Sequence, residues 1–148
     1  MQFAAVITDE AVTAANTETL VQVIAATNHP VKLLAWSVSF AGVGVTDEPL
    51  RVEIVRQTTA GTSSALTLVK WNDSDGDTLD ASGLQDFTAE PTLGDILNAT
   101  RVHPQAGYEI WYPEGKELKI GAGDRMGLRI ITPSGVNPNV SGFMVCQE

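Results

Sequence analysis

Alternation constrains this chain more than any other feature. In "LLAWSVSFAG", Leu34, Trp36, Val38 and Phe40 alternate with Ala35, Ser37, Ser39 and Ala41. Successive side chains of a strand point to opposite faces, so the run sets four large apolar groups on one face. A helix would scatter them. The period recurs in "PLRVEIVRQ", where Leu50, Val52 and Ile54 oppose Arg51 and Glu53. It recurs in "GKELKIG", with Leu118 and Ile120 against Glu117 and Lys119, and in "DRMGLRII", with Met126, Leu128 and Ile130 opposite Arg125 and Arg129. Pro49 can open a strand but would interrupt a ladder from its centre. The pattern predicts burial of Leu34, Trp36, Val38, Phe40, Leu50, Val52, Ile54, Met126, Leu128 and Ile130.

Further strands are expected over 2–8, 20–26, 66–71, 84–90, 108–112 and 140–146. Turn signals separate them: "TNHP", "AGVG", "TTAGTSS", "NDSDGD", "HPQAG", "YPEG", "GAGD" and "TPSGVNPN". Many short strands with this punctuation predict an all-β fold, an antiparallel β-sandwich of jelly-roll-like kind with about nine or ten strands. The best helical spacing lies in "EPTLGDILNATRV", with Leu93, Ile96 and Leu97 on one side and Thr92 as a candidate N-cap. Gly94 weakens it, so at most one short helix is expected. The 148 residues suit a single domain, 1–148, with enough chain to bury a core. Residues 1–36 are either its first strands or an arm reaching a neighbouring subunit.

Net charge is −9, and the nine basic residues are dispersed. Nucleic-acid affinity rests on neutralising phosphates, so no nucleic-acid partner is expected. One cysteine, Cys146, excludes an internal disulfide framework and a multi-cysteine metal site. No apolar run approaches the roughly 20 residues of a membrane span, and "MQFAAVITDE" lacks the basic start of a signal peptide. The expectation is a soluble chain with no membrane partner.

In "VRQTTAGTSSALTLVKW" the insert "QTTAGTSSA" sets five hydroxyl residues and one glycine between two apolar runs. A phosphate loop needs a second glycine followed by lysine, and a serine-nucleophile elbow needs glycine on both sides of the serine. Neither is present, so the segment reads as a hairpin loop in which Gly61 takes positive φ and the hydroxyls bond the turn's own backbone. His29 and His103 are next to prolines and read as strand-end residues, without the orienting partner a nucleophile–base pair requires. No catalytic residues, cofactor or metal are assigned. The acidic loop "WNDSDGDTLD" offers Asp73, Asp75, Asp77 and Asp80 as a candidate calcium loop. Its glycine and its twelfth position do not fit the helix–loop–helix register. "NAT" at Asn98 matches a glycosylation acceptor, read here as coincidence. Trp71, Trp111 and Tyr112 flank loops and are the candidate interface or sugar-stacking residues, whereas Trp36 reads as core.

Four blocks then occur together: "SVSFAGVGVTDEPLRVEIVRQTTAGTSSALT", "FTAEPTLGDIL", "RVHPQAGYEIWYPEGKELKIGAGDRMGLRI" and "TPSGVNP". Together they resemble a family of small tailed-phage virion proteins of β-sandwich type, related to capsid decoration or cement proteins. The resemblance implies a structural protein on the capsid exterior, made in the host bacterial cytoplasm. It would bind the major capsid protein and stabilise the assembled head, often as a homotrimer. It brings no enzymatic residues. The alternative it leaves open is a virion receptor- or carbohydrate-binding module of a head fibre or tail.

Overall fold

The structure is a computed structural model that describes residues 1–148. It contains twelve strands and no helix. In chain order they are β1 (Gln2–Ala11), β2 (Thr17–Ile24), β3 (Val31–Ala41), β4 (Leu50–Gln57), β5 (Thr62–Leu66), β6 (Val69–Lys70), β7 (Ser82–Ala89), β8 (Leu93–Val102), β9 (Tyr108–Trp111), β10 (Leu118–Ile120), β11 (Arg125–Ile131) and β12 (Asn139–Gln147). They form two antiparallel sheets. The first runs β10-β3-β12-β1-β6, with β9 also on β3, and the second runs β5-β7-β2-β11-β4-β8.

A core of 25 buried residues is drawn from both sheets. Phe3, Ala5 and Ile7 come from β1, Leu50, Val52 and Ile54 from β4, and Met126, Leu128 and Ile130 from β11. Each set is a period-two face, so alternation did select the buried side of these strands. Residues 1–36 belong to the sandwich, because β1 lies between β12 and β6.

β3 departs from simple alternation. Val145 of β12 pairs with Ala35 and Cys146 with Leu33, which leaves Leu34 as the extra residue of a bulge. The bulge switches the phase. Val31 and Leu33 face the core before it, and Trp36 and Val38 after it. Leu34 is therefore half-buried rather than core, and Phe40 is only partly buried against the core.

No helix forms, which is within the expectation of at most one, and two other expectations are corrected. Residues 93–102 form strand β8, paired along β4, so the helical spacing of Leu93, Ile96 and Leu97 is overridden by the ladder. The expected strand 66–71 is broken, with β5 in the second sheet and β6 in the first. The Gly/Ser/Thr loop is no hairpin. Leu50 pairs with Val102, Gln57 with Leu93, Thr62 with Ala89 and Leu66 with Gly83, so β4–β5 and β7–β8 make one long antiparallel ribbon. One half of the ribbon pairs with β11 and the other with β2, so residues 58–61 and 89–92 cross between them. Crossing over the outer face, the Thr59 carbonyl accepts from Gln22 Nε2 and the Glu90 carboxylate accepts from the Thr19 amide. Gly61 has φ 64, as expected, and a Cβ there would collide with the Ala89 carbonyl oxygen. The Thr59 hydroxyl accepts from the amide of Thr92 on the other crossing segment, and so does not serve its own turn.

Candidate functional site

Register places an apolar row across the outer face of the first sheet. Val69 pairs with Ala4, Ala4 with Val145, Val145 with Ala35, and Ala35 with Trp111. All five side chains point away from the core, because Phe3, Ala5, Met144, Cys146 and Trp36 take the inner positions. The next row adds Val6 and Phe143 beside Ser37 and Glu109. Ala4, Ala35 and Val145 are buried, yet Val69, Trp71 and Trp111 are 56%, 54% and 52% exposed. Trp71 and Trp111 meet edge to face with centroids 6.3 Å apart. They come from opposite margins of the sheet, since β6 lies beyond β1 and β9 lies on β3. Their long rings span the small residues between.

A polar row borders this patch. Gln2 pairs with Gln147, Gln147 with Lys32, and Lys32 with Lys119. A groove of about 570 Å³ runs here, with Trp111, Tyr112, Leu34, Lys32 and Glu117 among its lining residues. Backbone N–H groups of Glu117 itself and of Gly115 hold the Glu117 carboxyl below the usual carboxylate range.

The structure thus brings Trp71 and Trp111 together and gives Tyr112 a different role. The Tyr112 hydroxyl accepts from Trp36 Nε1 at 3.1 Å and from Asn98 Nδ2 at 3.2 Å. Tyr112 is a half-buried prop under the groove, tied to the core through Trp36. The pairing of Trp71 with Trp111 was not visible in sequence, because β6 and β9 are far apart in the chain. The small residues of "FAAVI" were the available signal, since alanine on an outward strand position leaves room for a ring to lie over it.

The acidic loop is organised around a lysine. The Lys70 ammonium donates to the carbonyl of Asp75 at 2.9 Å and to that of Asp77. The Asp75 carboxylate accepts from the Asp77 amide, and Asp80 lies 3.4 Å from His29 Nδ1. Asp73, Asp75, Asp77 and Asp80 do not converge, and no group of three or more His, Cys, Asp or Glu side chains is placed to hold a metal ion. His103 Nδ1 accepts from the Gln105 amide within its own turn. Cys146 is buried in the core, which pushes its thiol pKa well above the usual range and keeps it protonated. No helix is long and apolar enough to cross a membrane. The chain matches no family model, no curated protein and no solved structure in comparisons with each.

Proposed function

We propose that this protein is a non-catalytic virion structural module, a capsid decoration or cement protein that docks on the assembled head of a tailed phage. The observation that carries the reading is the Trp71–Trp111 patch on the outer face of the first sheet. A contiguous apolar patch with a polar rim is the usual anatomy of a protein interface, and tryptophan is enriched where interfaces concentrate their binding energy. The resemblance of the sequence blocks to phage virion proteins names the partner, the major capsid protein. The charge of −9 suits the exterior, because the packaged nucleic acid would repel it. Binding to the assembled shell and not to its dissociated subunits would stabilise the shell by linkage, about 2.7 kcal/mol per site at a hundredfold excess over Kd. Closed cyclic self-association, with a trimer as the state the resemblance implies, would cover remaining strand edges.

The test is sedimentation with capsids stripped of this protein, followed by heat or osmotic shock. Wild-type protein is expected to co-sediment and protect, and Trp71→Ala with Trp111→Ala to do neither. Equal robustness of bare and loaded particles would end the decoration reading. Light scattering reads the oligomer directly, and a monomer at high concentration would remove the trimer.

One observation favours a second reading. Trp111 borders a groove that also offers the Gln2 and Gln147 amides, Lys32 and Glu117, the mixture of ring face and polar donors on which a sugar stacks. Binding of cell-surface glycans, lost in Trp111→Ala, would move the protein from the capsid surface to a receptor-binding position on the virion.

A further inference from the structure

β6 covers β1 only at Phe3 and Ala4. Beyond that point the edge of β1 has no partner strand. The Gln2 carbonyl accepts from the Trp71 amide on this edge. Backbone groups alternate in direction along an antiparallel strand, so the N–H and C=O of Val6 and Thr8 point the same way. Opposite them, β7 pairs with β2 only from Ser82 to Leu84, so residues 85–88 also present an edge without a β2 partner. Between the two edges lies a cleft of about 640 Å³, lined by residues 6–11, Glu18 and residues 85–88.

The cleft has one sign of charge. Asp9 and Glu10 approach from β1, Glu18 from β2 and Asp86 from β7, and no lysine or arginine lines it. Glu90, on the crossing segment after β7, adds to the field at Glu10. Asp9 and Asp86 both sit at positive φ, 50° and 53°, at irregularities of their strands. The exposed edge spans about 17–20 Å at 3.3 Å per residue, the length of a short extended segment.

We propose that this cleft receives an extended basic segment of a partner protein, which adds a strand to the free edge of β1 and sets lysine or arginine side chains against Glu10 and Asp86. Strand addition supplies affinity through main-chain hydrogen bonds, and the side-chain pockets supply selectivity. The acidic lining chooses the occupant. A second copy of this chain, whose nine basic residues are dispersed, offers no run of cations to set against this lining. The idea stands apart from the tryptophan face, so either can fail alone. Burial, together with Asp86, Glu18 and Glu90, raises Glu10 to about 7. An incoming cation would drive its proton off, so binding should tighten as pH rises from 6 to 8, by up to about tenfold.

The probe is a ten-residue capped peptide alternating lysine with valine, against the same peptide carrying glutamate. Binding is read by calorimetry and by hydrogen exchange at the amides of Val6 and Thr8. The lysine peptide is expected to bind, more weakly with salt, and to slow exchange at both amides. The glutamate peptide should not bind. Glu10→Gln with Asp86→Asn should weaken the lysine peptide about tenfold. Lysine-peptide binding that leaves Val6 and Thr8 exchanging freely would be surface adsorption and would overturn strand addition. So would protection of those amides in the protein alone at high concentration, which would make a second copy the occupant. No binding of the lysine peptide at low salt and pH 8 would overturn the proposal outright.

Discussion

The outer face of the second sheet is polar and buried, whereas the outer face of the first is apolar and exposed. On the second, Glu53 is 1% exposed between the guanidinium groups of Arg51 and Arg129. Beside it Gln22 donates to Gln57 at 2.7 Å and Gln57 to Thr19 at 2.9 Å, beneath the crossing segments of the ribbon. On the first, nothing in the chain covers Val69, Trp71 and Trp111. A chain that folds its own ribbon over a polar face and leaves an apolar one open has divided its labour. Buried polar groups must be satisfied internally, so the covered face is where substitutions should cost stability. The open face should cost recognition instead.

The largest effect expected on this contrast comes from Glu53→Ala. It strands Arg129, whose side chain is 13% exposed, without its carboxylate. Breaking a buried pair by removing one partner costs about 3–5 kcal/mol. Urea unfolding at neutral pH reads it. A loss below about 1 kcal/mol would mean that the polar face does not hold the fold.

Gly61→Ala tests the cover itself. The residue would have to keep a left-handed backbone while its Cβ met the Ala89 carbonyl oxygen. Conformational cost and overpacking together give about 2–4 kcal/mol. Gly115, at φ 79 with open space where a methyl group would sit, separates the two contributions. Gly115→Ala should cost only the conformational part, about 1–2 kcal/mol. Equal losses at both sites would show that the crossing segments do not press on each other.

Glu10 sits at the margin where the two sheets part. Burial first, then Asp86, Glu18 and Glu90, raise its carboxyl from 4.5 to about 7. The folded state therefore holds a proton that the unfolded state releases, and stability falls as pH rises through the window from 4.5 to 7. Glu10→Gln removes that loss. Discounted for partial exposure, the gain is about 1–2 kcal/mol at about pH 8 and nothing at about pH 4. Thermal unfolding of both proteins across this range reads the difference, and parallel curves would contradict it.

The sandwich was legible because several of its strands keep a period of two, and the core faces of β4 and β11 followed directly from Leu50, Val52, Ile54, Met126, Leu128 and Ile130. What stayed hidden was set by tertiary pairing. The bulge at Leu34 depends on β12, more than a hundred residues later in the chain. The ribbon crossing at Gly61 depends on residues 89–92, although the glycine's positive φ could be anticipated. At the candidate site each tryptophan could be named, but their meeting required β6 and β9 to flank one sheet. The Glu10 cleft left no sequence signal, because its carboxylates come from β1, β2, β7 and the segment beyond.

The smallest expected effect asks whether the exposed face is organised before any partner arrives. Trp71 and Trp111 are both about half exposed, so each single change to alanine gives up only part of a ring's burial and should cost about 2 kcal/mol. Edge-to-face geometry at 6.3 Å predicts that part of each cost is the contact the two rings share. A double-mutant cycle of Trp71→Ala and Trp111→Ala should return about 0.5–1.5 kcal/mol in urea unfolding. Coupling in that range means the rings hold one another over Ala4, Val145 and Ala35, and a partner meets a preformed surface with little left to order. Zero coupling means each ring moves independently. The face would then bind at the cost of ordering both side chains, and the contrast with the hydrogen-bonded Gln22–Gln57–Thr19 face would extend from composition to rigidity.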